Sequence, residues 1–161
     1  MICFTPPIEL IYFVRIESSI LNSIGMKIQR VLMLGMINIV EPSELTDQHL
    51  IAEYREITMV PGSLKRTLVS KIGYKESKVP KKYTLNTGHV YFFYNKGKYL
   101  YKRYREIVIE MKLRGFNPDR NRKFPRDIFI DNNLYNDWMP TMEDYKIIRQ
   151  RIAERISSKP D

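Results

Sequence analysis

The sequence predicts an all-α fold, a compact single domain of about three main helices connected by long loops. Apolar side chains recur at helical spacing in three segments, within residues 44–58, 97–114 and 141–156. Residues that favour helix ends lie beside these segments. The chain has 161 residues, of which 43% are hydrophobic, and this fits one domain with a substantial core.

The first helix is predicted to follow residues 41–44 (EPSE), where Ser43 can cap the helix and the acidic residues favour the positive end of its dipole. It should end near Thr58, and Pro61-Gly62 should break the helical pattern. One face is predicted to be apolar and carries Leu50, Ile51, Tyr54 and Ile57. The opposite face carries His49, Ala52, Glu53 and Glu56.

The middle of the chain is less regular. Residues 63–72 can form a short basic helix, and residues 73–82 are expected to form a lysine-rich loop. Residues 83–95 contain the aromatic run YFFY, which fits either a buried strand or a buried helical turn. Periodicity does not separate these two structures in so short a run.

The clearest helical pattern follows Gly97 and ends near Gly115, a residue typical of the position just after a helix. Its apolar residues are Leu100, Tyr104, Ile107, Val108 and Met111. Basic residues are expected on its exposed sides, namely Lys98, Lys102, Arg103, Arg105, Lys112 and Arg114.

The last part of the chain is predicted to hold a long irregular connection, residues 117–140, and then one more helix. Thr141, with Glu143 and Asp144 after it, is typical of a helix start. The apolar stripe of this helix is Tyr145, Ile148, Ile152 and Ile156.

The formal net charge is +9. Residues 1–35 hold three basic and two acidic residues, a net of +1, so the remaining 126 residues carry +8. Such a charge favours a polyanionic partner, nucleic acid first and an anionic membrane second, although a merely basic soluble protein fits the charge equally well.

Metal and disulfide chemistry have few candidate residues. Cys3 is the lone cysteine, and His49 and His89 are the two histidines. A lone thiol forms no internal disulfide and no Cys-rich zinc site, so we expect neither a metal nor a cofactor. One cysteine also fits a reducing compartment such as the cytoplasm.

The first 34 residues differ in composition from the rest. Their apolar start is interrupted by Pro6, Pro7 and Glu9, which argues against a signal peptide and against a membrane-spanning helix. They fit an amphipathic arm or, as we favour, sequence upstream of the true start. We therefore predict an N-terminal extension, residues 1–34, that is not part of the mature domain, residues 35–161.

Three segments resemble one known family. They are residues 45–56 (LTDQHLIAEYRE), residues 87–94 (TGHVYFFY) and residues 112–117 (KLRGFN). In their order and spacing they are similar to the active-site helix, the glycine-histidine-valine stretch and the end of the long helix of the pyrimidine-dimer DNA glycosylase/abasic-site lyase family. The resemblance covers about residues 35–160.

The resemblance implies a DNA-repair glycosylase that excises ultraviolet-induced pyrimidine dimers from duplex DNA. In this family the free α-amine of the mature N-terminus attacks the sugar C1′, an imine forms, and β-elimination cuts the strand. The expected partner is double-stranded DNA that contains pyrimidine dimers or abasic sites, with no membrane association, and we expect a monomer. An α-amine suits this chemistry because its pKa of about 7.7–8.0 leaves a useful neutral fraction near neutral pH.

The resemblance also implies roles for individual residues. Glu56 matches the catalytic glutamate, and Gly35 matches the nucleophile if it is the mature N-terminus. Arg55 matches an arginine that holds phosphate, His49 a position near the active site, and His89 a histidine near the DNA surface. Further phosphate contacts are predicted for three arginines, because the guanidinium presents a fork of donors: Arg114, Arg151 and Arg155.

Three departures from the family pattern bear on activity. Gly35 is internal in the sequence, so its amine is free only if translation begins at the codon of Leu34 and the initiating methionine is removed. Met36 and Met59 stand where arginines are expected, which predicts weaker DNA binding. A Trp- and Tyr-rich tail is expected after Lys159-Pro160 but is absent. The alternative is therefore a catalytically inactive DNA-binding relative, and an RNA or membrane binder rests on charge alone.

Overall fold

A computed structural model describes residues 37–85 and 87–157, and their side chains up to residue 154. The chain divides into two units, Met1–Leu34 and Gly35–Asp161, and the described residues all belong to the second. The α-helices of this described part are α1 (Asp47–Ile57), α2 (Met59–Leu68), α3 (His89–Phe92), α4 (Gly97–Leu113), α5 (Asp127–Asp131) and α6 (Met142–Ser157). Residues 37–85 and 87–157 contain no strand, so the predicted all-α class is confirmed.

The start of α1 differs from the prediction. Residues Pro42–Glu44 form a separate 3-10 turn, and α1 begins at Asp47 with Thr46 as its N-cap. Between the two, Leu45 has extended backbone and a buried side chain. Burial of this apolar residue in an extended conformation interrupts the helix, so Ser43 caps nothing in α1.

The predicted break at Pro61-Gly62 is wrong, because α2 runs through both residues. Pro61 is the third residue of α2, in the first turn, where a backbone N–H has no partner within the helix. The chain bends earlier, at Thr58, which lies between α1 and α2.

The aromatic segment is helical. Gly88 has φ +94°, a conformation that favours glycine, and it leads into the single turn of α3. Phe92, Phe93 and Tyr94 are buried in the core. The open choice between a strand and a helical turn is therefore settled in favour of the turn.

The long helix α4 ends as predicted. Gly115 has φ +81°, its N–H donates to Lys112 O at 3.0 Å, and the N–H of Phe116 donates to Met111 O at 2.9 Å. This pair of hydrogen bonds is the Schellman motif. The expected exposure of Arg103 is wrong, because Arg103 is only 3% exposed.

The segment predicted to be irregular contains the short helix α5, which delivers Phe129 to the core. The start of α6 agrees with the prediction. The Asp144 carboxylate accepts from both the N–H and the hydroxyl of Thr141, each at 2.8 Å. Ile148 of the predicted apolar stripe is fully buried.

The core forms where α1 packs against α4, with α2 packed on α1. Its fully buried apolar side chains come from most of the helices, and they are Leu50, Ile57, Leu64, Phe93, Leu100, Ile107, Phe129 and Ile148. No helix in residues 37–85 and 87–157 is long and apolar enough to cross a membrane.

Candidate active site and DNA-binding surface

Helix α1 carries three of the predicted site residues. Arg55 is exposed, and His49 and Glu56 are half-buried. His49 precedes Glu56 by seven residues, so the two lie on the same helical face about 10 Å apart along the axis. The last turn of α1 therefore carries a guanidinium and a carboxylate at consecutive positions, Arg55 and Glu56.

His49 is held at the start of α1. Its Nδ1 lies 2.9 Å from Thr46 Oγ1, and the same hydroxyl accepts from the backbone N–H of His49 at 3.4 Å. The N-cap thus orients the imidazole, which fixes where this predicted site residue can reach.

A groove of about 280 Å³ lies beside the C-terminal half of α1. Its lining includes Tyr54, Arg55, Phe116, Asp119 and Arg122. The partly exposed Phe116 ring offers apolar surface and the two guanidinium groups offer positive charge, whereas the Tyr54 ring is buried against Arg122. Such a combination suits a nucleic acid, whose bases stack on rings and whose phosphates bind arginine.

Arg122 is a site candidate that sequence reasoning missed. Its guanidinium lies 5.8 Å from the centre of the Tyr54 ring and donates to Thr58 Oγ1 at 3.3 Å. Burial raises the pKa of Tyr54 above 10.0, with the Arg122 charge opposing the shift, so the phenol stays neutral at neutral pH. The available signal was the basic stretch RNRK at residues 120–123, inside a segment read as an irregular connection.

Arg114 lies at the other end of α1, and its donors are directed to protein groups. The guanidinium donates to the carbonyls of Pro42, Ser43 and Leu45 and to the carboxylates of Asp47 and Glu110. These bonds tie the end of α4 to the segment that leads into α1. A DNA phosphate at Arg114 would therefore have to share N–H donors that already bind protein oxygen atoms.

His89 lies in the interior. Its Nε2 accepts from the backbone N–H of Ile37 at 3.0 Å, and its Nδ1 lies 2.6 Å from the carbonyl oxygen of Thr84. Burial lowers the pKa of His89 below 6.5, with the Thr84 bond opposing the shift, so the ring is neutral at neutral pH. The His89 side chain thus faces Ile37, the first residue that the structure describes.

A buried ion pair connects α1 to α4. Glu53 is fully buried, and its carboxylate accepts from Arg103 Nε at 2.7 Å and from Arg103 Nη2 at 3.0 Å. The Asn38 amide donates to the same carboxylate at 2.9 Å. Burial by itself would lower the pKa of Arg103, but the neighbouring Glu53 carboxylate raises it above its usual range. Glu53 therefore does not share the accessible face of Glu56.

The remaining predicted site residues are placed as follows. Arg151 is half-buried on α6, and its guanidinium donates to Glu154 at 3.3 Å. The side chain of Arg155 and the nucleophile candidate Gly35 lie outside the described part of the chain. No group of three or more His, Cys, Asp or Glu residues within that part is placed to hold a metal ion.

A family model described as pyrimidine dimer DNA glycosylase matches residues 35–124. The matched region includes α1 with Glu56, the interior His89 and the end of α4 with Arg114. It ends before α6, so Arg151 and Arg155 lie outside the match.

Proposed function

Because the chain belongs to the pyrimidine dimer DNA glycosylase family, we propose that residues 35–161 excise pyrimidine dimers from duplex DNA and then cut the strand as an abasic-site lyase. The nucleophile is the free α-amine of Gly35 in a mature protein that begins there. The observation that carries this proposal is that the family match begins at residue 35, the position that the family resemblance implies for the nucleophile.

The reaction begins when the neutral amine attacks the sugar C1′. A nitrogen–carbon bond forms, the glycosidic bond breaks, and the departing base takes the electron pair and a proton. The bound amine loses a proton, and the C1′–O4′ bond of the sugar ring then breaks. O4′ takes that electron pair and a proton, and the protonated imine remains between the amine nitrogen and C1′. Removal of a proton from C2′ then drives β-elimination, in which the bond between C3′ and the phosphate oxygen breaks.

Glu56 acts beside this centre as the carboxylate. It stabilises the positive charge that develops on the sugar, and it moves protons between the amine, the sugar and water. Its half-buried position at the end of α1 supports this role, because partial exclusion of water strengthens the attraction between a carboxylate and a cationic sugar.

DNA binding rests on exposed arginine and lysine side chains. Arg55 and Arg122 border the groove that Tyr54 and Phe116 line. Four exposed lysines follow α2 and supply further positive charge, namely Lys75, Lys78, Lys81 and Lys82. These groups bind phosphates irrespective of sequence, which suits an enzyme that must find lesions anywhere.

Borohydride trapping on duplex DNA with an abasic site tests the proposal, because borohydride reduces an imine to a stable covalent adduct. Protein that begins at Gly35 should form the adduct, and the full 161-residue chain should not. Glu56→Gln in the Gly35 form should slow strand cutting by about 100-fold or more. Glu106→Gln on α4 is the matched control and should leave the rate unchanged.

The alternative is a DNA-binding relative without catalysis. It predicts that neither form is trapped although both bind the DNA, and that result would overturn the enzymatic proposal. If the full chain is trapped with the same yield as the Gly35 form, the lyase activity is supported but Gly35 is excluded as its nucleophile.

A further inference from the structure

The first described residue of the domain is held on both sides by buried side chains. The Ile37 N–H donates to His89 Nε2 at 3.0 Å, and the Ile37 carbonyl accepts from the Tyr83 hydroxyl at 3.0 Å. Ile37, Tyr83 and His89 are each buried. Both polar groups of this peptide residue are therefore fixed by side chains from a distant part of the sequence.

The imidazole is itself held in one tautomer. Its Nδ1 donates to the carbonyl of Thr84, because a carbonyl oxygen only accepts, and this leaves the lone pair on Nε2 for Ile37. The rings of Tyr83 and Phe93 pack edge-on against it. Rotation of the ring would break both hydrogen bonds.

The next residues are tied to the helix that carries Glu56. Asn38 donates to Glu53, which lies one turn before Glu56 on α1, and Arg103 donates to the Val40 carbonyl at 2.5 Å. Glu53 and Arg103 hold each other by two further hydrogen bonds. The segment of residues 37–40 and the catalytic helix thus form one hydrogen-bonded unit.

We propose that His89 and Tyr83 are positioning residues for the α-amine at residue 35, and that Glu53 sets the amine in register with Glu56. This inference rests on the proposed function. Residue 35 precedes Ile37 by two positions in the sequence, and a chain of two residues spans at most about 7 Å. A peptide unit fixed at Ile37 therefore limits where the amine can go.

The polar character of this clamp supports positioning over simple packing. A short apolar segment needs only apolar neighbours to be buried, whereas hydrogen bonds fix both direction and register. Here each polar group of Ile37 meets one partner of the correct type. A nucleophile gains most from such fixation, because a displacement of about 1 Å can reduce a reaction rate about 100-fold.

Tyr83→Phe is the primary test, since it removes one hydroxyl and keeps the ring. The Gly35 form of the protein should show a rate of borohydride trapping that is about tenfold lower, with unchanged affinity for duplex DNA. Tyr94→Phe is the matched control, because Tyr94 is equally buried and its hydroxyl bonds Ser63 and Thr67 instead. This control should trap at the wild-type rate.

Two further variants separate the hydrogen bond from folding. His89→Gln keeps an acceptor and a donor and should retain most of the trapping rate, whereas His89→Phe should lose it, each with DNA affinity unchanged. If Tyr83→Phe and His89→Phe trap as fast as the wild type, the positioning role is overturned while the proposed function stands. If the unmodified Gly35 form is not trapped, both the proposed function and this inference fail.

Discussion

Replacing Glu53 by glutamine should destabilise the fold by about 3–5 kcal/mol, because it leaves a buried guanidinium without its counter-charge. Glu53 is fully buried, and the Arg103 side chain is 4% exposed. Glutamine has nearly the same shape as glutamate, so no cavity forms. Arginine keeps its proton in proteins, so the unpaired charge cannot be neutralised.

The hydrogen bonds that the Glu53 carboxylate accepts lead to a similar estimate of the destabilisation. The carboxylate accepts from Arg103 Nε, Arg103 Nη2 and the Asn38 amide. A glutamine amide offers one acceptor oxygen and places its NH₂ group against a donor. Loss of one charge-assisted hydrogen bond costs about 1.5–3 kcal/mol, and the uncompensated charge adds the rest.

The assay is urea denaturation of the full chain, with helical circular dichroism as the signal. A loss of about 4 kcal/mol at a slope of about 2 kcal/mol/M lowers the urea midpoint by about 2 M. Glu44→Gln is the matched control, because Glu44 pairs with Arg149 on the surface, where removal of the charge costs less than about 1 kcal/mol. The double change Glu53→Leu with Arg103→Met should recover part of the loss, since it removes both buried charges. Equal midpoints for Glu53→Gln and Glu44→Gln would refute the reasoning.

Three other predictions concern pH, packing and DNA binding. The lowered pKa of His89 means that the folded protein binds this proton less readily than the unfolded chain, so the stabilisation is complete above pH 6.5 and falls below it. Urea titrations on both sides of that pH should show this slope, and His89→Gln should reduce it. Gly97→Ala should cost about 1–3 kcal/mol and lower the melting temperature, because its Cβ would lie 2.4 Å from Phe129 Cγ. Gly62→Ala, whose Cβ would meet nothing closer than 3.8 Å, should not lower it. Met59→Arg, at a position 57% exposed, should tighten duplex binding and steepen its salt dependence by about 0.9 in log–log slope, and an unchanged slope in fluorescence anisotropy would count against a phosphate contact there.

Four arginines of this domain illustrate two different environments. Arg103 and Arg114 are engaged with protein carbonyls and carboxylates, and they organise the segment between Ile37 and α1. Arg55 and Arg122 border the groove beside α1. Net charge alone therefore overstates the number of guanidinium groups available to phosphate.

The sequence by itself determined the features that depend on neighbours along the chain. The helical class, the glycine that ends α4 and the threonine that opens α6 follow from residues within one or two turns of each other. The family is also a property of the sequence, because three short motifs in a fixed order carry it. The candidates Arg55 and Glu56 were available from the same motifs.

Only the tertiary structure decided what distant residues do to one another. Glu53 and Arg103 look like surface charges in sequence, and they are buried because each supplies the partner that the other needs across 50 positions. His89 faces Ile37 across 52 positions, and no local pattern encodes that contact. The packing of α1 on α4 brings Glu53 and Arg103 together. Burial of a charge or of a polar ring is tolerable only when a hydrogen-bond or ion-pair partner is buried beside it.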